Sequence, residues 1–152
     1  TNPTLKIPMF EDTKVEETPV LFDSGVTYRY LVDKLALTPL NLNQQNVLSV
    51  IDACSDSLVN MMLLSRSDVD TKQDKLYFKI QRERQIASFD FLEKEVSGGS
   101  FADWNYLSMC LLVLIEWSQF RNLFDFSGYP ALLNFVQSNQ TEPGVVLTKP
   151  CE

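Results

Sequence analysis

The side chains that most often carry catalysis or bind metals are scarce in this sequence. It contains no histidine, which excludes Ser-His-Asp triads, HExxH zinc sites and histidine proton shuttles. Its three cysteines, Cys54, Cys110 and Cys151, are far apart, and their odd number argues against a disulfide framework or a zinc site. Cys54 and Cys110 fall within apolar helical runs, so they are expected to be buried structural thiols in a reducing cytosol. No metal site is expected.

The remaining candidates for ligand chemistry lie near the N-terminus. Pro8 lies within a short apolar segment, Leu5–Phe10. Asp23 and Ser24 follow a second apolar segment, Val20–Phe22, and open an amphipathic helix for which Ser24 is the predicted N-cap. The charged residues between the two segments predict a turn, so the segments are expected to pair as a β-hairpin. A two-stranded hairpin is marginal alone and must pack against another element.

The rest of the chain is predicted to be helical. Apolar residues recur every three or four positions from Leu42 to about Arg66 and from about Thr71 to Val96, before Gly98-Gly99. Ser100-Phe101-Ala102-Asp103 has the spacing of a capping box, in which Ser100 would cap the most hydrophobic helix of the chain. A last helix is predicted to start at Tyr129-Pro130, followed by an extended tail.

Composition narrows the class of partner. The chain has 152 residues, a formal net charge of -7 and 45% hydrophobic residues, as expected for a globular protein with a sizeable core. Its acidic balance argues against nucleic acid, whose phosphates require clustered lysine and arginine. The most apolar segment, Met109–Ile115, is far shorter than the ~20 residues that span a bilayer. We therefore expect a soluble, cytoplasmic protein with no nucleic-acid or membrane partner.

Five short motifs occur in an order that resembles the cytosolic glutathione S-transferases. They are Asn2-Pro3 through Ile7-Pro8, Asp23-Ser24, Tyr30-Leu31, Ser100-Phe101-Ala102-Asp103, and Tyr129-Pro130-Ala131-Leu132. Each motif is weak alone, but their order, their spacing and the helices between them make a specific pattern. The resemblance covers essentially the whole chain, although the family's first strand, first helix and second strand have no counterpart in it.

The resemblance implies a glutathione-binding site made of two residue pairs. Pro8 matches the family's cis-proline, and Ile7 matches the residue whose backbone pairs with the cysteinyl backbone of glutathione. Asp23 and Ser24 match the pair that holds the γ-glutamyl end: Ser24 and the first helical amides would bind its carboxylate, and Asp23 its ammonium group. The alternatives are an ordinary edge-strand proline and a plain helix cap with a solvated aspartate.

No residue matches the family's thiol-activating tyrosine, serine or cysteine, because that residue belongs to the part without a counterpart. No catalytic residue is therefore assigned, and this chain is expected to hold part of a glutathione site without activating the thiol.

The implied fold class is mainly α and glutathione-transferase-like. It comprises a partial thioredoxin-like domain at residues 1–36, a linker at 37–42 and an all-α domain at 43–152. The implied function of the full-length form is to conjugate the glutathione thiolate to a small hydrophobic electrophile, as in detoxification, or to catalyse a related thiol-dependent reaction. Glutathione would be the co-substrate, and the protein would be a homodimer. The alternatives are a non-catalytic transferase-fold module for protein interaction and a helical bundle with no ligand.

Overall fold

The computed structural model describes residues 2–15 and 20–148, so Cys151 lies outside the described residues. The described part contains two strands and six helices. They are β1 (Met9–Phe10), β2 (Leu21–Phe22), α1 (Ser24–Leu35), α2 (Leu42–Arg66), α3 (Leu76–Ser97), α4 (Tyr106–Phe120), α5 (Pro130–Asn139) and α6 (Pro143–Leu147). The predicted fold class, mainly α with a hairpin and a helix before a helical part, is confirmed. The chain divides into two compact units, Thr1–Asn41 and Leu42–Glu152, called here the hairpin unit and the helical unit.

The hairpin is shorter than the sequence pattern predicts. Strands β1 and β2 pair antiparallel, with Met9 opposite Phe22 and Phe10 opposite Leu21. The residues before β1 form a local turn instead of continuing the strand. In this turn the Asn2 side chain accepts a hydrogen bond from the Thr4 amide at 2.9 Å, and the Leu5 amide donates to the Asn2 carbonyl at 3.1 Å. Because asparagine side chains bond readily to nearby backbone, such turns compete with strand pairing.

Helix α1 is capped by Asp23, so the predicted N-cap at Ser24 is wrong by one residue. The Asp23 carboxylate accepts from the amides of Gly25 at 2.8 Å and Val26 at 3.4 Å, and Ser24 is the first helical residue. Aspartate and serine cap helices about equally well, so local propensity does not choose between them.

The predicted capping box of Ser100 and Asp103 is also wrong. Helix α4 begins at Tyr106, and its N-cap is Asn105, whose side chain accepts from Leu107 N at 2.9 Å and Ser108 N at 3.3 Å. The Ser100 hydroxyl instead donates to the Glu95 carboxylate. The motif therefore lies in the connection between α3 and α4. The end of the chain is corrected as well: α6 occupies part of the predicted extended tail.

The core of the helical unit lies where α2, α3, α4 and α5 pack together. Its fully buried apolar side chains are Cys54 and Leu58 of α2, Phe89 and Leu92 of α3, Leu107, Leu111 and Ile115 of α4, and Leu132 of α5. The Phe89 ring also contacts Phe124 and Phe126 from the α4–α5 connection, with ring centroids 4.4 and 4.9 Å apart. Burial of apolar surface is the main source of stability in such a bundle.

Helix α2 is both long and hydrophobic. By those two properties it could cross a membrane, although core helices of globular proteins pass the same test. The most apolar segment of the sequence, Met109–Ile115, belongs to the shorter helix α4. One side of α2 is buried through Val47, Ile51, Cys54 and Leu58. These residues recur at the three- and four-residue steps of a helix that packs on other helices.

Candidate functional site

The structure brings the two predicted residue pairs together within the hairpin unit. The Ile7–Pro8 peptide bond is cis, as the resemblance implied. The Pro8 carbonyl accepts a hydrogen bond from the Asp23 amide at 3.3 Å, which places the start of β1 beside the start of α1. Ile7 is 95% exposed, and Asp23 and Ser24 are exposed as well. The four residues Ile7, Pro8, Asp23 and Ser24 therefore form an open surface, called here the α1 entry site.

Asp23 holds a strained backbone conformation at this site. Its φ of 84° lies in a region that residues other than glycine seldom adopt. The conformation turns its side chain back over the first turn of α1. A Cβ atom at Gly25 would lie 3.1 Å from Asp23 Oδ1, so the absence of a side chain at Gly25 lets the carboxylate approach the helix end. Strained residues of this kind concentrate at ligand sites.

Hydrogen bonding at the α1 entry site leaves one polar side chain free. Asp23 Oδ1 already accepts from Gly25 and Val26, two of the amides that were expected to bind a ligand carboxylate. The Ser24 hydroxyl makes no hydrogen bond to any residue that the structure describes. An anion at this helix end would therefore meet the Ser24 hydroxyl, together with the positive end of the helix dipole. The second oxygen of Asp23 accepts no hydrogen bond from the residues that the structure describes, so it can accept one from a cationic group.

Asp12 fixes the turn after β1 to helix α1. Its carboxylate accepts from the Tyr30 hydroxyl at 2.8 Å and forms an ion pair with Lys34, and its side chain is only 8% exposed. The Phe10 and Tyr30 rings lie 6.0 Å apart beside this contact. Sequence reasoning missed Asp12, because an aspartate in a charged turn has no spacing that distinguishes a buried partner from a solvated one.

The two cysteines that the structure describes, Cys54 and Cys110, are poor candidates for nucleophiles. Burial raises the pKa of Cys54 to about 12, although a hydrogen bond with Ser88 opposes the shift. Burial also raises the pKa of Cys110 to about 11, opposed by a hydrogen bond with Tyr106 and increased by the Asp52 carboxylate. Thiols with such pKa values are almost entirely protonated at neutral pH and are poor nucleophiles.

Metal binding has no candidate in the described part of the chain. Residues 2–15 and 20–148 contain no group of three or more His, Cys, Asp or Glu side chains that could hold a metal ion.

Comparison with known proteins identifies the fold. No protein-family model matches the sequence, and no curated protein is significantly similar to it. One matching crystal structure is that of a glutathione transferase family member from Pseudomonas fluorescens Pf-5 with bound S-(propanoic acid)-glutathione. The superposition covers 99% of this chain and 80% of the Pseudomonas chain, with a TM-score of 0.78 and 18% sequence identity. The fold is that of a glutathione transferase. The hairpin and α1 correspond to part of a thioredoxin-like domain, and the helices that follow correspond to the helical domain.

Proposed function

We propose that this protein is a glutathione S-transferase-like protein whose α1 entry site binds the glutathione backbone. The observation that carries the proposal is the hydrogen bond from the Asp23 amide to the Pro8 carbonyl. It joins the two residue pairs at the start of a helix, in a chain with the transferase fold. The neighbouring structure with a bound glutathione conjugate supports glutathione as the ligand.

Each residue of the site has a proposed role. The exposed Ile7 backbone pairs with the cysteinyl backbone of glutathione, and Pro8 sets the direction of that backbone. The Ser24 hydroxyl donates to the γ-glutamyl carboxylate at the positive end of α1. The Asp23 oxygen that is not used for capping accepts from the γ-glutamyl ammonium group. A hydrogen bond to a charged group contributes about 1.5–3 kcal/mol, so Ser24 is expected to matter at least tenfold in affinity.

The proposed reaction is attack of the glutathione thiolate on a small hydrophobic electrophile, or a related thiol-dependent reaction. In such a reaction the protein holds the thiolate near the electrophile, and a positioned donor lowers the thiol pKa. Residues 2–15 and 20–148 provide the binding groups described above, and none of them is assigned to thiol activation. We further propose a glutathione-binding part at residues 1–36, a linker at 37–42, an all-α part at 43–152, and a cytoplasmic homodimer.

The test of the site is isothermal titration calorimetry of the full chain with glutathione. Ser24→Ala should weaken glutathione binding about tenfold or more, because it removes the donor to the γ-glutamyl carboxylate. The dipeptide cysteinylglycine lacks that carboxylate, so its affinity should be the same for the wild type and Ser24→Ala. Ser97→Ala is the control, since Ser97 is exposed and its hydroxyl donates only to the Glu93 carbonyl. Unchanged glutathione affinity in Ser24→Ala, or equal losses for both ligands, would contradict the assigned site.

A non-catalytic interaction module is the second candidate, because the fold alone does not distinguish an enzyme from a binding module. An assay with glutathione and an activated aryl halide separates the two functions. Glutathione binding with conjugation above the uncatalysed rate supports the transferase. Glutathione binding without conjugation supports the module and leaves the α1 entry site as the ligand site.

A further inference from the structure

A cavity of about 440 Å³ lies between α4 and α6, entirely within the helical unit. One face of α4 supplies Leu112, Val113, Glu116 and Trp117, at the three- and four-residue steps that align side chains on a helix. Trp104 from the preceding segment and Val145 of α6 complete the apolar wall. The volume lies within the range of roughly 300–1,000 Å³ that is usual for small-molecule sites.

The aromatic content of this cavity is unusual for the chain. The sequence contains two tryptophans, Trp104 and Trp117, and both of them line the cavity. Both are half-buried, so each presents part of its indole ring to a ligand while the rest is packed against protein. An indole face is the best aromatic partner for a cation, and it also stacks on flat aromatic rings.

The cavity also contains a fixed negative charge. Among the described residues that line it, Glu116 is the one with a charged side chain. Its carboxylate accepts from the Gln140 side-chain amide at 3.0 Å, which holds it in place from outside the cavity lining. A carboxylate between apolar and indole surfaces favours a ligand that is both aromatic and positively charged. The formal charge of -7 on the chain also attracts cations.

Helix α6 lines the cavity with Gly144, which has no side chain to occupy it. A Cβ atom built at Gly144 would meet nothing within 4 Å beyond its own helix and its chain neighbours, so the space beside it is open. On the opposite wall, Val113 is 61% exposed, and it gives a ligand access to the cavity.

We propose that the cavity between α4 and α6 is a binding site for a small aromatic cation, with the rings against Trp104 and Trp117 and the ammonium group at Glu116. The inference does not depend on the proposed glutathione site, since all of its residues belong to the helical unit.

Three naphthalene compounds of similar size that carry a cationic, a neutral or an anionic group test the proposal. They are 1-naphthylmethylammonium, 1-naphthylmethanol and 1-naphthoate, titrated into the full chain by calorimetry. The ammonium compound should bind about tenfold more tightly than the alcohol, because a charge-assisted contact to Glu116 is worth about 1.5 kcal/mol or more. The naphthoate should bind most weakly. In NMR spectra the two indole N–H signals, one for each tryptophan, should both shift with the ammonium compound. Naphthoate binding as tight as the ammonium compound, or indole signals that do not move, would overturn the proposal.

Two variants test separately whether binding requires the negative charge of Glu116 and the empty volume beside Gly144. Glu116→Gln keeps an acceptor for Gln140 but removes the charge, so the ammonium compound should bind no better than the alcohol. Glu83→Gln changes the net charge equally on an exposed part of α3, and it should leave all three affinities unchanged. Gly144→Phe puts a phenyl ring at a lining position, so it should strongly weaken binding of the ammonium compound and the alcohol alike. Circular dichroism and the unfolding temperature of the variant check that it is folded. Preference for the cation that survives Glu116→Gln, or binding that survives Gly144→Phe, would place the ligand elsewhere and refute the assignment.

Discussion

The hairpin unit and the helical unit are stabilised by different kinds of contact. In the helical unit, side chains such as Phe89, Leu111 and Ile115 are fully buried, and hydrophobic packing between helices dominates. In the hairpin unit the strands contain two residues each, few apolar side chains are buried (Leu21, Val32 and Leu40), and polar contacts help to join the elements. Asp12 contacts Tyr30 and Lys34, and Asp23 caps α1.

This difference suits the functions proposed for the two units. Polar contacts have defined directions, so they fix the α1 entry site while leaving it open to solvent. A packed apolar core has no such exposed donors, and it binds ligands only where the packing leaves space, as between α4 and α6. Substitutions can test whether apolar packing chiefly stabilises the helical unit and whether polar contacts chiefly stabilise the hairpin unit.

The largest expected effect is that of Phe89→Ala in the helical unit. Phe89 is 0% exposed and contacts the rings of Phe124, Phe126 and Tyr129. Removing its ring leaves a cavity and should lower the free energy of unfolding by about 3–5 kcal/mol. Urea unfolding followed by circular dichroism measures this. Phe91→Ala is the control on the same helix, because Phe91 is 37% exposed and should cost clearly less. Equal losses for the two variants would show that packing around Phe89 is not what chiefly stabilises the helical unit.

In the hairpin unit the largest effect should come from Asp12→Ala. The change leaves Lys34 and the Tyr30 hydroxyl without their shared partner, and hydrogen bonds to charged groups are worth about 1.5–3 kcal/mol. Hydrogen exchange of the Asp23 amide, which bonds to the Pro8 carbonyl, should accelerate because the turn is no longer tied to α1. The exposed Asp33 on α1 provides the control variant, Asp33→Ala, which should not change that exchange rate. If both variants exchange like the wild type, Asp12 does not hold the turn.

A smaller loss of stability is expected when a polar contact between α3 and α5 of the helical unit is removed. The two oxygens of Glu93 on α3 accept from the amides of Ala131 at 2.8 Å and Leu132 at 2.9 Å, in the first turn of α5. Glu93→Ala should cost about 1–2 kcal/mol, the usual loss when a helix cap is removed. It should also speed hydrogen exchange of those two amides. Glu83→Ala, at an exposed site on the same helix, should have little effect, and a comparable loss there would rule out the capping role.

The sequence predicted the helices better than their ends. Helix α2 spans Leu42–Arg66 as predicted, because a repeat of 3.6 residues in apolar positions is a local signal that tertiary packing reinforces. The caps at Ser24 and Ser100 were wrong because another good acceptor, Asp23 or Asn105, lies a few residues away. Capping residues differ by only tenths of a kcal/mol, so the surrounding fold makes the choice.

The candidate site was predictable only in part. Ile7, Pro8, Asp23 and Ser24 were predicted as site residues from their likeness to a family pattern, and the structure places Pro8 beside Asp23. The hydrogen bonds between residues far apart in the sequence, which fix the elements around the site and in the helical unit, were not predictable from the sequence. Asp12 and Tyr30 are 18 residues apart, and Glu93 and Leu132 are 39 apart. No periodicity links residues at those separations, so only the folded chain shows which carboxylates are buried partners.

The smallest expected effect is on the alkylation rate of Cys54 in the native protein. This rate reports how often the helical core opens around Cys54. Cys54 is 0% exposed, and burial raises its pKa to about 12, so at pH 8 only about one thiol in ten thousand is ionised. Because the thiolate is the reactive form, iodoacetamide should leave Cys54 unmodified in the native protein while modifying it fully in urea. Cys110 is only partly buried and has a pKa of about 11, so it should react slowly but before Cys54. Mass spectrometry of the alkylated peptides measures both rates. Modification of Cys54 ahead of Cys110 would mean that the core opens locally around α2, and that packing there is weaker than in the rest of the helical unit.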